Sequence, residues 1–298
     1  MLISESLNNL DVKIIKDGSF DVFSLSGKSR IAGYEKALIF INSENYLDGL
    51  ERPEVSCVVC TPELTEVVKQ RFEGGIIESA DPKYTFFAMH AAFADKLEKK
   101  ANCIDSSAVI HETAIVEDHD VTIGKNVVIK ANVVIKSNTI IEDDVMIMEN
   151  CIIGTPAFYY YGEGDTVRMV NSSGGVVIGR NSNIHTSTII EKGAIGGNTI
   201  IGKNAAVDNN VLISHDCIIG DNTKVAANSA LAGWVKIGDN SFVGMSATFV
   251  PAVRVGNHCT ISAGAVVTKD VPDDTQASGN FAIEHSLFIE DLKTKVGK

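Results

Sequence analysis

The sequence predicts a mainly β fold: a left-handed parallel β-helix of hexapeptide repeats, with a small N-terminal α/β domain and a short C-terminal helix. Three observations predict this fold. In two long runs every sixth residue is aliphatic or phenylalanine, the first 100 residues lack that period, and the 298-residue chain is long enough for two domains. The predicted boundaries are 1–100 for the small domain, 101–272 for the β-helix and 273–298 for the tail.

The repeat is clearest when one slot is followed along the chain. In the second half of the chain this slot holds Ile201, Val207, Ile213, Ile219, Val225, Leu231, Ile237, Val243, Phe249, Val255, Ile261 and Val267. Earlier in the chain it holds Ile123, Ile129, Ile135, Ile141, Ile147 and Ile153. A second inward position lies two residues before each slot and often holds a smaller residue, such as Cys151 or Cys217. Alternate residues of a strand share a face, so both positions point into the interior. Three hexads, one for each side, make one coil of a triangular prism.

Two irregularities interrupt the repeat. Between Ile153 and Ile178 the chain carries an insertion rich in Tyr, Gly and Ser, and from Ile190 to Ile201 the spacing is eleven residues instead of twelve. Elsewhere Gly-Lys-Asn or Gly-Asp-Asn closes many hexads, and these residues tolerate the backbone angles of tight turns. Insertions in solenoids emerge on one face and often form the binding face, so we expect a site beside this insertion.

The first 100 residues read as alternating strands and helices. Two of the predicted helices begin with a proline in the first turn, where its missing N–H costs nothing. Cys57 and Cys60 form a Cys-x-x-Cys pair, but they lie in an apolar stretch that reads as a buried strand, and no second pair completes a zinc site. The predicted strands are Asp11–Ile15, Ala37–Ile41, Val55–Cys60 and Gly75–Ile77, and the predicted helices are Pro62–Phe72, Pro82–Lys99 and, in the tail, Phe281–Lys293.

Composition and charge exclude several classes of function. The chain is 45% hydrophobic and 21% charged, and its formal net charge is −12. An acidic chain repels nucleic acid and anionic lipid, so neither is expected as a partner. The N-terminus lacks the basic flank and apolar run of a signal peptide, and no stretch of about 18 apolar residues predicts a membrane span. We therefore expect a cytoplasmic protein.

The hexapeptide run resembles the left-handed β-helix acyltransferases. The segments Ala37–Tyr46 and Val207–Asp216 are similar to the lipid A N-acyltransferase that acts on UDP-3-O-acylglucosamine. The segments Ser214–Asp221 and Ala263–Pro272 look more like the sialic acid O-acetyltransferase and bacillosamine N-acetyltransferase group, which uses acetyl-CoA. The lipid A enzyme has a second histidine near the position of Ala252 and a longer C-terminal helical region that meets acyl carrier protein, and this chain lacks both.

The resemblance implies an N-acyltransferase that moves an acyl group from acyl-CoA to the amino group of a nucleotide-linked amino sugar. It implies no bound cofactor, and a homotrimer with active sites between subunits. Two alternatives stay open: the lipid A enzyme itself, using acyl carrier protein, and a non-catalytic solenoid that binds sugar or scaffolds partners. O-acylation also stays open, because the same base serves a hydroxyl.

Acyl transfer to an amine requires a base, and histidine is the natural base near neutral pH. His215 follows the inward Ile213 by two residues and matches the catalytic histidine of both related groups. Asp216, which matches the acidic neighbour in the acetyltransferase group, and Asp208 from the preceding hexad are both candidates to orient its ring. No metal is expected, because β-helix carbonic anhydrases need three zinc histidines and the histidines flanking His215 in sequence are distant.

Five further residues are candidates for substrate binding. By resemblance, the backbone N–H of Gly233, one coil beyond His215, binds the thioester carbonyl, Trp234 walls the acyl-donor pocket, and Lys269 meets a CoA phosphate. Core or trimer packing is an equally good interpretation of Trp234. For Lys269 the alternative interpretation is an ordinary solvated surface lysine. Phe40 and Tyr46 are candidates to stack on the nucleotide base, although Phe40 also fits the core of the small domain.

Overall fold

The computed structural model describes residues 1–7, 10–25, 36–162, 166–279, 282 and 284–296. From residue 103 onward the chain winds through three parallel sheets in turn, and each strand pairs with the strand one coil away. These stacked parallel sheets of short repeated strands are typical of the left-handed β-helix, and the predicted fold class is confirmed. No helix in the described ranges is long and apolar enough to cross a membrane.

The three sheets of the prism are named in the order in which the chain first enters them. The first sheet holds Cys103–Ile104, Val121–Ile123, Thr139–Ile141, Gly175–Ile178, Asn198–Ile201, Ile218–Ile219, Lys236–Ile237 and Arg254–Val255. The second holds Val109–Ile110, Val128–Ile129, Met146–Ile147, Asn183–Ile184, Ala206–Val207, Lys224–Val225, Phe242–Val243, Thr260–Ile261 and Gln276–Ala277. The third holds Ile115–Val116, Val134–Ile135, Ile152–Thr155, Ile189–Glu191, Leu212–Ile213, Ala230–Leu231, Thr248–Phe249 and Val266–Val267. The second sheet thus continues beyond the predicted domain end at residue 272.

The interior of the prism is filled by the two predicted inward positions. Every aliphatic slot from Ile201 to Val267 is buried, and so are the smaller residues before them, including Cys151 and Cys217. Burial raises the pKa of the Cys151 thiol to about 11, so this cysteine is neutral core filler at physiological pH.

At the edges of the prism most turns place one residue in the left-handed region. Asn and Asp dominate these positions, as at Asn204, Asn222 and Asn240, because they tolerate a positive φ better than other residues with a side chain. The same asparagines form a ladder: Asn204 Nδ2 donates to Asn222 Oδ1 over 3.2 Å, and Asn222 Nδ2 to Asn240 Oδ1 over 3.3 Å.

The N-terminal domain is a five-stranded sheet with helices around it. Its strands are Lys13–Lys16, Val22–Phe23, Ala37–Ile41, Val55–Cys60 and Gly75–Glu78, and its helices are Ile3–Ser6, Thr65–Arg71, Pro82–Ala94 and the 3-10 segments Glu44–Glu51 and Pro62–Leu64. The predicted helix Pro62–Phe72 therefore begins as a 3-10 turn, and the one from Pro82 ends at Ala94 rather than Lys99. The charged residues after Ala94 offer no apolar face to bury, so the chain turns towards the β-helix there. The tail helix runs from His285 to Val296; residue 281, its predicted start, lies outside the described residues.

The insertion emerges where the chain passes from the third sheet to the first. We call this the insertion edge of the prism: residues 136–138, 155–174, 191–197, 214–216, 232–234, 250–252 and 268–270. The N-terminal helix Pro82–Ala94 packs against it, and Phe87 stacks on Tyr161 with ring centroids 5.1 Å apart. His90 of that helix bonds Ser173 over 2.7 Å. The small domain therefore rests on the insertion edge.

Candidate active site

His215 and Asp216 form a hydrogen-bonded pair in a turn of the insertion edge. Nδ1 of His215 lies 2.9 Å from Oδ2 of Asp216, and the histidine is only 5% exposed. With the carboxylate ionised, Nδ1 carries the proton and donates it to Asp216, which leaves the lone pair on Nε2. This is the arrangement that a general base requires.

The other ring atoms of His215 face Gly233, one coil further along the same edge. A methyl group at position 233 would stand 2.6 Å from both Cε1 and Nε2, so only glycine fits beside the ring. The backbone N–H of Trp234 donates to the carbonyl of His215 over 3.0 Å and ties the two turns together.

Trp234 occupies the left-handed position at which most other turns of the prism have Asn. Its φ is +63°, an uncommon angle for so bulky a residue, and such strain clusters at functional sites. Its ring stands perpendicular to that of His215 with centroids 4.4 Å apart. Tyr159 of the insertion lies 5.6 Å from both rings, and its hydroxyl pKa is raised by burial and by the Asp216 carboxylate.

A pocket of about 290 Å³ opens beside this cluster, between the two domains. It is lined by Phe40, Tyr46, Lys83, Tyr159 and Trp234, together with Leu25 and Asn42. Phe40 and Tyr46, predicted from the sequence to stack on a nucleotide base, thus share one pocket with Trp234. Phe40 also packs on Phe86 with ring centroids 5.1 Å apart, as a residue of the small domain's core would, while Tyr46 is 45% exposed.

Two predicted site residues lie away from the dyad. Asp208 stands at the edge between the second and third sheets, where its Oδ1 lies 3.8 Å from Nδ1 of His185 and also accepts the N–H of Asn209. Within one chain the acid beside His215 is therefore Asp216. Lys269 lies on the insertion edge, three coils beyond His215, or roughly 14 Å along the axis.

Sequence reasoning missed Tyr159 and Glu191. Tyr159 belongs to the Tyr-rich insertion, whose composition was the available signal. Glu191 opens the eleven-residue irregularity; it is 8% exposed and its Oε2 accepts the backbone N–H of His215 over 3.0 Å. Among the residues that the structure describes, no group of three His, Cys, Asp or Glu side chains is placed to hold a metal ion.

Family models match the repeat region. The bacterial transferase hexapeptide family, described as six repeats, matches residues 198–233 and 235–269, and the hexapeptide repeat of succinyl-transferase matches residues 120–137. These segments contain His215, Asp216 and Gly233.

The named relatives are acyltransferases whose names give a UDP-linked glucosamine as substrate. The chain is 35% identical over 210 residues to UDP-3-O-acylglucosamine N-acyltransferase of Delftia acidovorans, covering 63% of this chain and 60% of that protein. The UDP-N-acetylglucosamine acyltransferase of Campylobacter jejuni is 33% identical, with 59% of this chain and 71% of that one covered and a TM-score of 0.49. The Francisella novicida enzyme of the same name is 33% identical, with 59% and 66% covered and a TM-score of 0.40. The chain thus spans about 60% of the length of the curated relative.

Proposed function

This chain belongs to the hexapeptide-repeat acyltransferase family with the left-handed β-helix fold, and on that premise we propose that it transfers an acyl group from acyl-CoA to the amino group of a nucleotide-linked amino sugar. One observation carries the proposal. The pocket that holds Phe40 and Tyr46 is also lined by Trp234 and Tyr159, whose rings contact His215 of the His215–Asp216 dyad. A nucleotide stacked there through its aromatic ring places its sugar towards the imidazole of His215, the proposed general base.

The chemistry follows from the geometry of the dyad. The neutral amine nitrogen attacks the thioester carbonyl carbon and forms the C–N bond, while Nε2 of His215 takes one proton from that nitrogen. The negative charge on the carbonyl oxygen is stabilised by the backbone N–H of Gly233, to which the structure gives no acceptor among the described residues. The C–S bond then breaks, and the imidazolium returns its proton to the departing thiolate sulfur. Asp216 stabilises the imidazolium throughout.

The acyl donor is the finer part of the proposal. Lys269 lies on the same edge as His215, at a distance of roughly 14 Å, which a pantetheine arm can span towards a CoA phosphate. Ala252 lies on the same edge, one coil beyond Gly233. The second histidine of the lipid A enzyme is therefore absent from this position. Both points favour a CoA thioester over acyl carrier protein.

A second candidate function is the lipid A N-acyltransferase itself, favoured by the name of the Delftia relative. A thiol-release assay distinguishes the two. A panel of nucleotide-linked amino sugars is offered acetyl-CoA, 3-hydroxybutyryl-CoA and 3-hydroxymyristoyl carrier protein in parallel. Thiol release with a short acyl-CoA supports the first function. Turnover only with the carrier protein and an acylated UDP-glucosamine supports the second, and binding without turnover supports a non-catalytic module.

His215→Asn tests the base directly. We expect turnover to fall by roughly 10² or more, with the assembly intact, because general base catalysis contributes about 10²–10⁴. His111→Asn is the matched control, since His111 is exposed and its ring bonds Thr113 of its own turn. Normal activity in His215→Asn would overturn the assignment.

We further propose that the chain works as a homotrimer and that the outer face of the third sheet is part of the interface. The outward residues of this face are almost all apolar: Ile115, Val134, Ile152, Ile189, Leu212, Ala230 and Val266. By contrast, the outward residues at the centre of the second sheet include the polar Asn183 and Lys224 beside Ala206. An apolar face of this length marks an interface, and it borders the edge that carries His215.

A further inference from the structure

We propose that Glu191 is a positioning residue for the catalytic pair, and that the eleven-residue irregularity exists to place it and its turn against His215 and Asp216. This inference rests on the proposed function, because it assigns a role within the same site. The turn in question, residues 191–197, lies one coil before the dyad on the insertion edge.

Glu191 contacts the main chain of the base. Its carboxylate is buried and accepts the backbone N–H of His215 over 3.0 Å. A charge-assisted bond of this kind is shorter and stronger than a neutral one. It fixes where the Cα of His215 stands, and therefore where the imidazole points.

The same turn holds the acid. The N–H of Ala194 donates to Oδ2 of Asp216 over 3.0 Å, the atom that also binds His215 Nδ1. At the end of the turn, Oγ1 of Thr199 accepts the N–H of Asp216 over 2.9 Å. Oδ2 of Asp216 thus accepts from both the N–H of Ala194 and Nδ1 of His215. The turn fixes the first of these bonds and so limits the direction of the second.

The turn is itself anchored on the side away from the dyad. Lys192 is buried, and its Nζ donates to the carbonyl of Ser137 over 2.9 Å, on the preceding regular part of the edge. The N–H of Gly196 donates to Oγ of Ser173, which also bonds His90 of the N-terminal domain. A turn fixed at both ends transmits little displacement to the residues that it holds.

The chain contains an equivalent brace without a catalytic partner. Glu142 follows a strand of the first sheet, and its Oε2 accepts the backbone N–H of Arg180, one coil further along, over 3.0 Å. The two bonds have the same length, so a carboxylate directly after a strand is a structural device of the prism. At Glu191 the residue that it holds is the proposed base, whereas Glu142 lies on another edge, and Glu142→Ala is therefore a matched control.

The test compares Glu191→Ala, Glu191→Gln and Glu142→Ala in the 298-residue chain. In Glu191→Ala we expect kcat to fall roughly 10- to 100-fold with little change in KM, because a displacement of about 1 Å in a catalytic group costs up to 10². We expect the Nδ1–Oδ2 distance in its crystal structure to exceed 2.9 Å. Glu191→Gln keeps an oxygen that accepts the N–H and should retain most activity, as should Glu142→Ala.

Rescue by glutamine separates positioning from a merely structural role. Glu191→Gln should restore kcat because its amide oxygen accepts the N–H of His215, whereas a loss of kcat that only follows the loss of thermal stability across the three variants would overturn the proposal. Wild-type kcat with an intact dyad in Glu191→Ala overturns the proposal, and so does equal loss in Glu191→Gln. If Glu191→Ala does not fold, Glu191→Met carries the same test at nearly the same side-chain volume. If the wild type transfers no acyl group, the proposed function fails, while the crystallographic dyad distance still decides the role of Glu191.

Discussion

Nε2 of His215 faces the Cα of Gly233 so closely that a single added methyl group at position 233 would stand 2.6 Å from it. The two residues lie one coil apart on the same edge of the prism, and the N–H of Trp234 donates to the carbonyl of His215 over 3.0 Å. Parallel stacking thus sets the distance between the base and the N–H of Gly233, with no flexible segment between them.

Gly233→Ala should therefore displace the imidazole without disturbing the backbone. Gly233 does not have a positive φ, so alanine suits its backbone, and the only conflict is with the ring of His215. We expect kcat to fall roughly 10²-fold, with a thermal midpoint within a few degrees of the wild type. Steady-state kinetics and calorimetry measure the two effects.

Gly279→Ala is the control for that variant, because a methyl group there meets nothing within 4 Å. It should leave both quantities unchanged. Full activity in Gly233→Ala would mean that the ring of His215 is not held against this coil during turnover.

Asp216→Asn should keep the shape of the dyad and remove its charge. An asparagine cannot stabilise the imidazolium, and its amide allows the wrong tautomer of His215, so we expect kcat to fall by roughly 10² or more. Asp221→Asn is the control, since Asp221 Oδ1 accepts the N–H of Lys203 over 2.7 Å on another edge of the prism. A wild-type kcat in Asp216→Asn would show that the acid acts from elsewhere, and Asp208→Asn would then be the variant to measure.

The sequence predicted burial correctly at the positions that are set by the six-residue period. Burial at Ile213 or Val243 follows from their slot alone, because each strand repeats the same environment every six residues. His215 could be proposed as the base because its hexad matches a known motif. Glu191 and Tyr159 were not, because their roles depend on which coil stacks above which and on the path of a non-repeating insertion. The choice between Asp216 and Asp208 needed three dimensions, since they lie on different edges of the prism.

His90 makes the stability of the folded chain depend on pH. Desolvation lowers its pKa from 6.5 to about 4, its Nε2 bonds Ser173, and its Nδ1 has no partner among the described residues. The unfolded chain binds a proton at this site below pH 6.5, whereas the folded chain resists it until about pH 4. The free energy of unfolding should therefore fall by up to about 3 kcal/mol as the pH drops from 6.5 to 4, and stay level above 6.5.

Urea unfolding across this pH range measures the effect, with His90→Gln as the comparison. Glutamine can still bond Ser173 but does not titrate, so its unfolding free energy should fall less steeply between pH 6.5 and 4. Equal slopes in the two proteins would mean that other groups account for the loss. Because His90 connects the N-terminal helix to the insertion edge, we expect this helix to lose its protection from hydrogen exchange first.

Leu212→Arg tests the proposed interface on the third sheet. Leu212 is 38% exposed in the isolated chain, points outward from the strand Leu212–Ile213 and stands three residues before His215. A buried, unpaired charge at an interface is strongly destabilising, so light scattering after size exclusion should show monomers in place of trimers. Because the proposed interface borders the edge that carries His215, acyl transfer should fall together with assembly. Phe242→Arg, at an outward position of the second sheet that is 45% exposed, should remain trimeric. A trimeric Leu212→Arg would place the interface on another face of the prism.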